Sequence, residues 1–365
     1  MDPKISNVET DNNEYKFTLS GLNVSLANAL RRVVLCDIPM VVFRTETYDN
    51  NLCKIEKNTT RLHNEILKQR LSCIPVHMNY DELELLPENY IMELSEKNDS
   101  DTMKFVTTEN FKIRNKVSGV PLKDAEVKRI FPPNEKTQCY IDFVRLRPKI
   151  SDTIPGEEIK LKAEFSIATA KTNSMFNAVS KCAYGNTIDV SKVNSEWEKR
   201  KEKFGKDESV EFHKKNFYLL DAQRYYVEDS FDFILESVGV YDNKDIIKMA
   251  ARILYEKFDN FDKLVESGSV DILNSNTTIS FCFDVKLDNE DYTLGKVLEY
   301  LLYTKYYEKE KKLSYCGFKK FHPHDTHSVI RLGFNEIADV SNVKTYLKNV
   351  CMDAKQIYKK LYDIL

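Results

Sequence analysis

Hydrophobic and polar positions in this chain follow two periods that replace one another along its length. Ile5–Leu19 alternates imperfectly at a period of two and predicts an opening strand. From Asn23 the period becomes helical. Leu26, Ala29, Leu30 and Val33 fall on one face, Asn23 stands where it can cap, and Arg31 and Arg32 point away from the apolar stripe. Pro39 stops this helix, because its ring disfavours a helical conformation at Ile38. A second helical pattern carries Leu62, Ile66, Leu67 and Leu71 over a broad arc, with His63 and Arg70 projecting into its middle. Polar groups so placed need partners. They either snorkel into a wet groove or meet another chain, where Arg is a favoured anchor.

Beyond Asn79 the pattern turns strand-like, with a polar tip at Asn98–Asp101 and interruptions at Val120-Pro121 and Phe131-Pro132-Pro133. Residues 78–158 therefore read as a mostly β insertion. Ile159, Leu161, Ala163 and Phe165 alternate with charged residues as in a half-buried strand. The charge-dense stretch 191–216 reads as a solvated helix and loop, or alternatively as a regulatory contact, with Trp197 pinning it to the body of the protein. Phe231, Phe233 and Leu235 predict a strand that turns at Gly239. A helix over 242–264 follows, with Ile247, Ala250, Leu254, Phe261 and Leu264 at three-four spacing. Residues 266–277 are polar and weakly patterned, and read as a linker.

After the linker, Thr278–Leu287 predicts a strand. A helix capped by Asp291 or Thr293 then shows an apolar face of Leu294, Val297, Leu298, Leu301 and Leu302. Two strand-like stretches surround a histidine-rich turn. The last helix, 339–364, sets Val343, Leu347, Val350, Ala354, Ile357, Leu361 and Ile364 in a strict four-three alternation, a narrow seam of the kind two helices share.

Composition narrows the function. The 365 residues suffice for about two or three domains, and 42% hydrophobic content is ample for packed cores. No apolar run approaches the roughly 20 residues that a bilayer requires. The first residues lack an apolar signal-peptide core, so an intracellular protein is expected. A formal net charge of −3 argues against a general nucleic-acid binder. The cysteines at 36, 53, 73, 139, 182, 282, 316 and 351 form no C-x-x-C pair, which argues against a zinc ribbon or an iron–sulfur cluster.

Candidate chemistry is sparse. His322, His324 and His327 form H-x-H-x-x-H, but Pro323 stiffens the turn and no further ligand lies close in sequence, so no metal and no cofactor are expected. A cysteine-dependent hydrolase is one alternative, with Cys73 near His77 and Cys36 near Asp37. A stand-alone nucleic-acid-binding module is another. Nucleotide-binding, zinc-protease and serine-hydrolase motifs are absent.

LANALRRVVLCDIP followed by LHNEILKQRLSCIPV resembles the assembly motif of the RNA polymerase alpha family, which includes the archaeal D protein and the third subunit of RNA polymerase II. DYTLGKVL followed by GFKKFHP is similar to the small partner of that family, the archaeal L protein or the eleventh subunit of RNA polymerase II. In that partner family an asparagine is usual at Lys296 and a proline at Phe321. The resemblance implies an α+β fold. An alpha-like dimerisation domain would comprise 1–77 and 159–265, with 78–158 inserted, and a partner-like domain would comprise 278–365. It implies a non-catalytic assembly platform for a multisubunit DNA-directed RNA polymerase, with Arg31, Arg32, His63, Asn64, Glu65 and Arg70 facing the second-largest subunit. Further implied partners are the largest subunit and small zinc-binding subunits, with DNA met only through the complex and no membrane. Leu26, Leu30, Val33, Ile247, Leu254, Leu298, Leu347, Val350, Ile357 and Leu361 would form the core between the paired halves. Such fusions are a feature of polymerases from large cytoplasmic DNA viruses, which implies a cytoplasmic replication site and the virion as locations.

Overall fold

The structure, a computed structural model, describes residues 1–151, 153–202 and 209–365. Its elements run β1 (Lys4–Asp11), β2 (Glu14–Ser20), α1 (Val24–Cys36), β3 (Met40–Val42), β4 (Cys53–Asn58), α2 (Asn64–Ser72), α3 (Leu85–Asn89), β5 (Tyr90–Lys97), β6 (Lys104–Thr107) and β7 (Lys112–Asn115). Next come α4 (Asp124–Ile130), β8 (Asp142–Leu146), β9 (Glu158–Glu164), β10 (Ser166–Ala168), β11 (Val179–Ile188), α5 (Val190–Lys201), α6 (Ser209–Leu219), β12 (Tyr226–Ser237) and α7 (Asn243–Ser267). The chain closes with β13 (Ile272–Asn274), β14 (Cys282–Asp288), α8 (Tyr292–Leu302), β15 (Leu313–Lys319), β16 (His327–Phe334) and α9 (Val340–Ile364). The fold is α+β and divides into two compact units.

The first unit comprises Met1–Val34, Lys181–Glu236 and Asn243–Leu365. It holds two four-stranded sheets, ordered β1-β2-β12-β11 and β13-β14-β16-β15. The two sheets have the same connectivity. Each is a strand, a strand, a helix, a strand, a strand and a long helix, in the spatial order first-second-fourth-third. The first group ends in α7 and the second in α9, and these helices pack antiparallel. Phe258 stacks on Tyr358 at 5.9 Å between ring centroids, while Lys355 meets Asp259 and Asp262, and Lys348 meets Glu266. Residue numbers fall on one helix as they rise on the other, which fixes the direction. Tyr358, fully buried, donates its hydroxyl to the Leu26 carbonyl at 3.3 Å, so α9 also touches α1.

Three expectations change here. Ile5–Leu19 is a hairpin rather than one strand, because Asn12 and Asn13 take positive φ and turn the chain between β1 and β2. The 266–277 segment is not merely a linker. α7 runs to Ser267, and β13 pairs antiparallel with β14 as an edge strand. Trp197 does not pin its excursion to the main core. It packs with Val193, Phe217 and Ala222 in a small core that α5 and α6 build for themselves. Residues 203–208 of that stretch lie outside the described residues.

The second unit, Leu35–Ser180 with Ser237–Asp242, contains a sheet ordered β4-β9-β5-β7 and two two-stranded pairs, β6-β8 and β10-β3. One core runs from Phe43, Leu67 and Leu71 through Leu94, Phe111 and Phe143 to Phe165. It is wider than the 78–158 span, since β4 and α2 belong to it. Among the described residues no helix is long and apolar enough to cross a membrane.

Candidate assembly interface

α1 begins as its sequence requires. Asn23 Oδ1 accepts from the Ser25 amide at 2.9 Å, and Leu26, Ala27, Ala29, Leu30, Val33 and Val34 are buried along one stripe. The two arginines beyond that stripe behave differently. Arg31 lies along its own helix, donating from Nε and Nη2 to Asn28 Oδ1 at 3.0 Å each. Arg32 reaches the start of α8. Its Nη2 donates to Asp291 Oδ2 at 2.6 Å and its Nε to Thr293 Oγ1 at 2.9 Å. Asp291 caps α8 with its other oxygen, which accepts from the Thr293 amide at 2.8 Å. One carboxylate thus closes a helix end and receives a guanidinium from a helix about 260 positions earlier.

The second sequence block lies in the other unit. His63 is not set among leucines. It precedes the first helical residue of α2, so the 100° per residue rotation does not apply to it. Its Nδ1 lies 2.8 Å from Glu65 Oε2, and both side chains are exposed. The helix's first-turn amide holds the Glu65 carboxyl below its ordinary value, and His63 adds to this. Asn64 Oδ1 accepts from Asn58 Nδ2 at 2.9 Å. Arg70, exposed on α2, donates from Nε and Nη2 to the carbonyls of Phe143 and Asp142 at 2.7 Å each, and so ties α2 to β8. A shallow groove of about 420 Å³ opens beside α2, lined by Thr45, Glu46, Tyr48, Glu65, Lys68 and Gln69. Tyr48 in it is almost wholly exposed, while Glu46 pairs with Arg44. Burial pushes the Glu46 carboxyl up, but Arg44 and nearby amides outweigh it and leave it lowered. Sequence reading missed this groove, because its lining comes from three separated segments.

The ten residues expected between the paired halves are all buried: Leu26, Leu30 and Val33 on α1, Ile247 and Leu254 on α7, Leu298 on α8, and Leu347, Val350, Ile357 and Leu361 on α9. In α8, a Cβ at Gly295 would run into the Phe318 ring, so only glycine lets β15 pack this closely. Lys296, the position where the partner family carries asparagine, pairs with Glu299 at 2.5 Å. Glu299 also accepts from the Phe318 amide at 2.9 Å.

The remaining candidates form no site. Among the described residues no cluster of His, Cys, Asp and Glu could hold a metal ion. His322 and His324 are exposed, with rings 4.9 Å apart. Burial pushes the thiols of Cys53 to about 11 and of Cys182 and Cys316 to about 12, so these stay protonated and unreactive at neutral pH. Cys73 is exposed at the end of α2, and burial lowers the basicity of His77.

Comparison with known proteins places the chain. The family described as the RNA polymerase Rpb3/Rpb11 dimerisation domain matches residues 16–258. The chain is 24% identical over 282 residues to the DNA-directed RNA polymerase subunit Rpo3 of Pyrococcus horikoshii, covering 71% of this chain and 96% of that protein. It is 26% identical over 271 residues to Rpo3 of Thermococcus kodakarensis, covering 67% and 91%. A shorter stretch of 74 residues is 38% identical to the DNA-directed RNA polymerases IV and V subunit 3B of Arabidopsis thaliana, covering 20% and 21%. The family match takes in β12, most of α7 and everything between them and β2, and it stops before β13. On that match, which spans well over half its length, the chain belongs to the RNA polymerase Rpb3/Rpb11 dimerisation domain family.

Proposed function

We propose that this chain is the non-catalytic assembly subunit of a multisubunit DNA-directed RNA polymerase, and that it carries both members of the family's heterodimer in one polypeptide. The names of its relatives support the first part. The observation that carries the second is the repeated connectivity. Two groups of β-β-α-β-β-α share one strand order, and their last helices, α7 and α9, pack against each other in a single compact unit. The second group lies at 272–364, beyond the family match, where the sequence resembles the small partner. On this reading the pairing halves are Met1–Val34 with Lys181–Glu236 and α7, and the group from β13 to α9, joined by a connection so short that the halves meet at an effective concentration of roughly millimolar or more. The chain is a structural subunit with no activity of its own.

The surfaces offered to the second-largest subunit are carried by Arg31 and Arg32 in one unit and by His63, Asn64, Glu65 and Arg70 in the other, with Arg32 oriented by Asp291 and Arg70 by the carbonyls of β8. The largest subunit and small zinc-binding subunits complete the expected company. The fused form suits a large cytoplasmic DNA virus, with the cytoplasmic replication site and virion as its locations. Affinity purification of the tagged full-length chain from its native setting tests the reading. Recovery of two very large polymerase chains is expected. A lone monomer with hydrolase activity would replace this reading with the cysteine-enzyme alternative.

A further inference from the structure

The equivalence of the two groups can be followed residue by residue where α1 and α8 begin. Aligning the caps, Asn23 with Asp291, sets Ser25 on Thr293, Leu26 on Leu294, Leu30 on Leu298, Arg31 on Glu299 and Arg32 on Tyr300. The apolar positions agree and the polar ones do not. A copy of the first half standing in for the second would bring Asn23 and Ser25 to Arg32, with no carboxylate. A copy of the second half standing in for the first would bring Tyr300 to Asp291, with no cation. The bonds from Arg32 to Asp291 and Thr293 exist only when unlike halves meet.

The long helices repeat the lesson independently. Asp259, Asp262 and Glu266 lie on α7, and Lys348 and Lys355 lie on α9. Lys355 and Asp262 are the most enclosed of these, with side chains 17% and 18% exposed. Matching the buried positions of the two helices, Ile247 with Leu347, Ala250 with Val350, Leu254 with Ala354 and Phe258 with Tyr358, a second α7 in the place of α9 keeps a lysine, Lys248, where Lys348 stands but puts Tyr255 where Lys355 stands, so Asp259 and Asp262 lose their shared cation. A second α9 in the place of α7 puts Lys359 and Tyr362 where Asp259 and Asp262 stand, so Lys355 faces another lysine and a phenol. Both like-with-like pairings leave an enclosed charge unpaired or repelled, which is the costly case.

We propose that these two charge sets are a pairing code, by which each half accepts the other and rejects a second copy of itself. The inference rests on the reading of two fused halves. The apolar core alone would not discriminate, since both halves present leucines at equivalent places. The code is what keeps a chain closed on itself when many copies fold together with identical cores. Charge complementarity along a shared helical seam decides partners in this way in other helix pairs.

The test uses the isolated full-length chain and no other polymerase subunit, so its result is separate from the co-purification experiment. One variant carries Lys348→Glu with Lys355→Glu, making both long helices acidic along the seam. A second carries Asp259→Lys, Asp262→Lys and Glu266→Lys, making both basic. Each is refolded alone and then with the other, and species are counted by native mass spectrometry. The expected result is a one-to-one dimer of the two variants, in which each α7 pairs with the other chain's α9. It should exceed either like-with-like dimer by about tenfold or more, the scale of one to two charge-assisted contacts. A mixture that yields only monomers, or dimers in statistical proportion, overturns the proposal, as does a mixture that fails to refold. Arg32→Tyr tests the other charge set in a chain with the seam intact. Amide exchange at the start of α8 should quicken by roughly tenfold, and a mixture of light- and heavy-labelled chains should form mixed-label swapped dimers faster than the parent. Unchanged exchange on both counts removes Arg32 from the code.

Discussion

The two sheet-and-helix groups of the first unit share connectivity and strand order but differ in what joins their elements. In the second group the path from α8 to β15 is one wide helical turn, Tyr303–Lys309, and the path from β15 to β16 is the histidine turn. In the first group the path from α1 to β11 contains the whole second unit apart from Ser237–Asp242, and the path from β11 to β12 contains α5 and α6. Both kinds of insertion enter where strands and helices end. Connections at such points tolerate added chain because their backbone is solvated and little packing depends on them. The core faces tolerate no such freedom. Every residue expected between the halves is buried, in both groups alike. The difference shows that this architecture is held by its inward faces, while additions accumulate at its rims.

Several substitutions would break or sharpen that comparison. The largest effect is expected from truncating the common core. Leu254→Ala on α7 and Leu347→Ala on α9 should each cost about 2–5 kcal/mol. In urea both groups should lose structure in one transition, because the two helices belong to one packed body. Two separate transitions, one per group, would refute a shared core. Next is a pair of equivalent positions with opposite demands. Gly295→Ala drives a methyl into the Phe318 ring and should cost about 1–3 kcal/mol. Ala27→Gly at the equivalent position of α1 forces no atom into a neighbour and should lose about 1 kcal/mol of helix propensity together with its buried methyl. Equal losses in thermal melts would mean that Phe318 relaxes freely.

The helix caps come third. Asn23→Ala removes the acceptor for the Ser25 amide and should cost about 1 kcal/mol. Asp291→Asn keeps a cap and loses only the ion pair with Arg32, both side chains of which are about a third exposed, so a loss below about 1 kcal/mol is expected. A larger loss at Asp291 than at Asn23 would reverse that order. The smallest effect concerns acid. Bonds from Lys263 and Lys355 hold the Asp259 carboxyl below its ordinary value, and the Arg331 fork does the same for Asp284 within the second sheet. A depressed carboxyl contributes its full stability above the unfolded value, about pH 4, and loses it as pH falls through the folded value. Asp284→Asn should therefore lower the melting temperature slightly at neutral pH and converge with the parent in acid, which flattens the fall below about pH 4. An identical acid profile would show that this pair contributes nothing.

Legibility followed range. The α1 cap, its stripe, the α8 cap and the α9 seam are readable because each is a short-period pattern with a local partner. The β1–β2 hairpin hides because Asn12 and Asn13 interrupt an alternation that resumes in nearly the same phase. β13 hides because an edge strand with only Ile272 partly buried has almost no apolar signature. His63 is misplaced by a helical rotation that extends one residue too far toward the start of α2. Arg70 and Trp197 need partners, and the residue types say so. Which partners they find depends on β8 in one case and on Phe217 in the other.

By itself the sequence determined the α+β composition of the elements, the apolar faces that had to be covered, the points where helices start, and the two blocks that tie the chain to its family. Burial and capping are set by residues a few positions apart, so a one-dimensional pattern can carry them. Tertiary structure alone decided that Arg32 meets Asp291, that α7 and α9 meet antiparallel with acids on one and lysines on the other, and that α2 belongs to the core of the second unit. Those choices pair residues tens to hundreds of positions apart, and the Coulomb and packing energies that select them exist only once the backbone has brought the groups within a few ångströms.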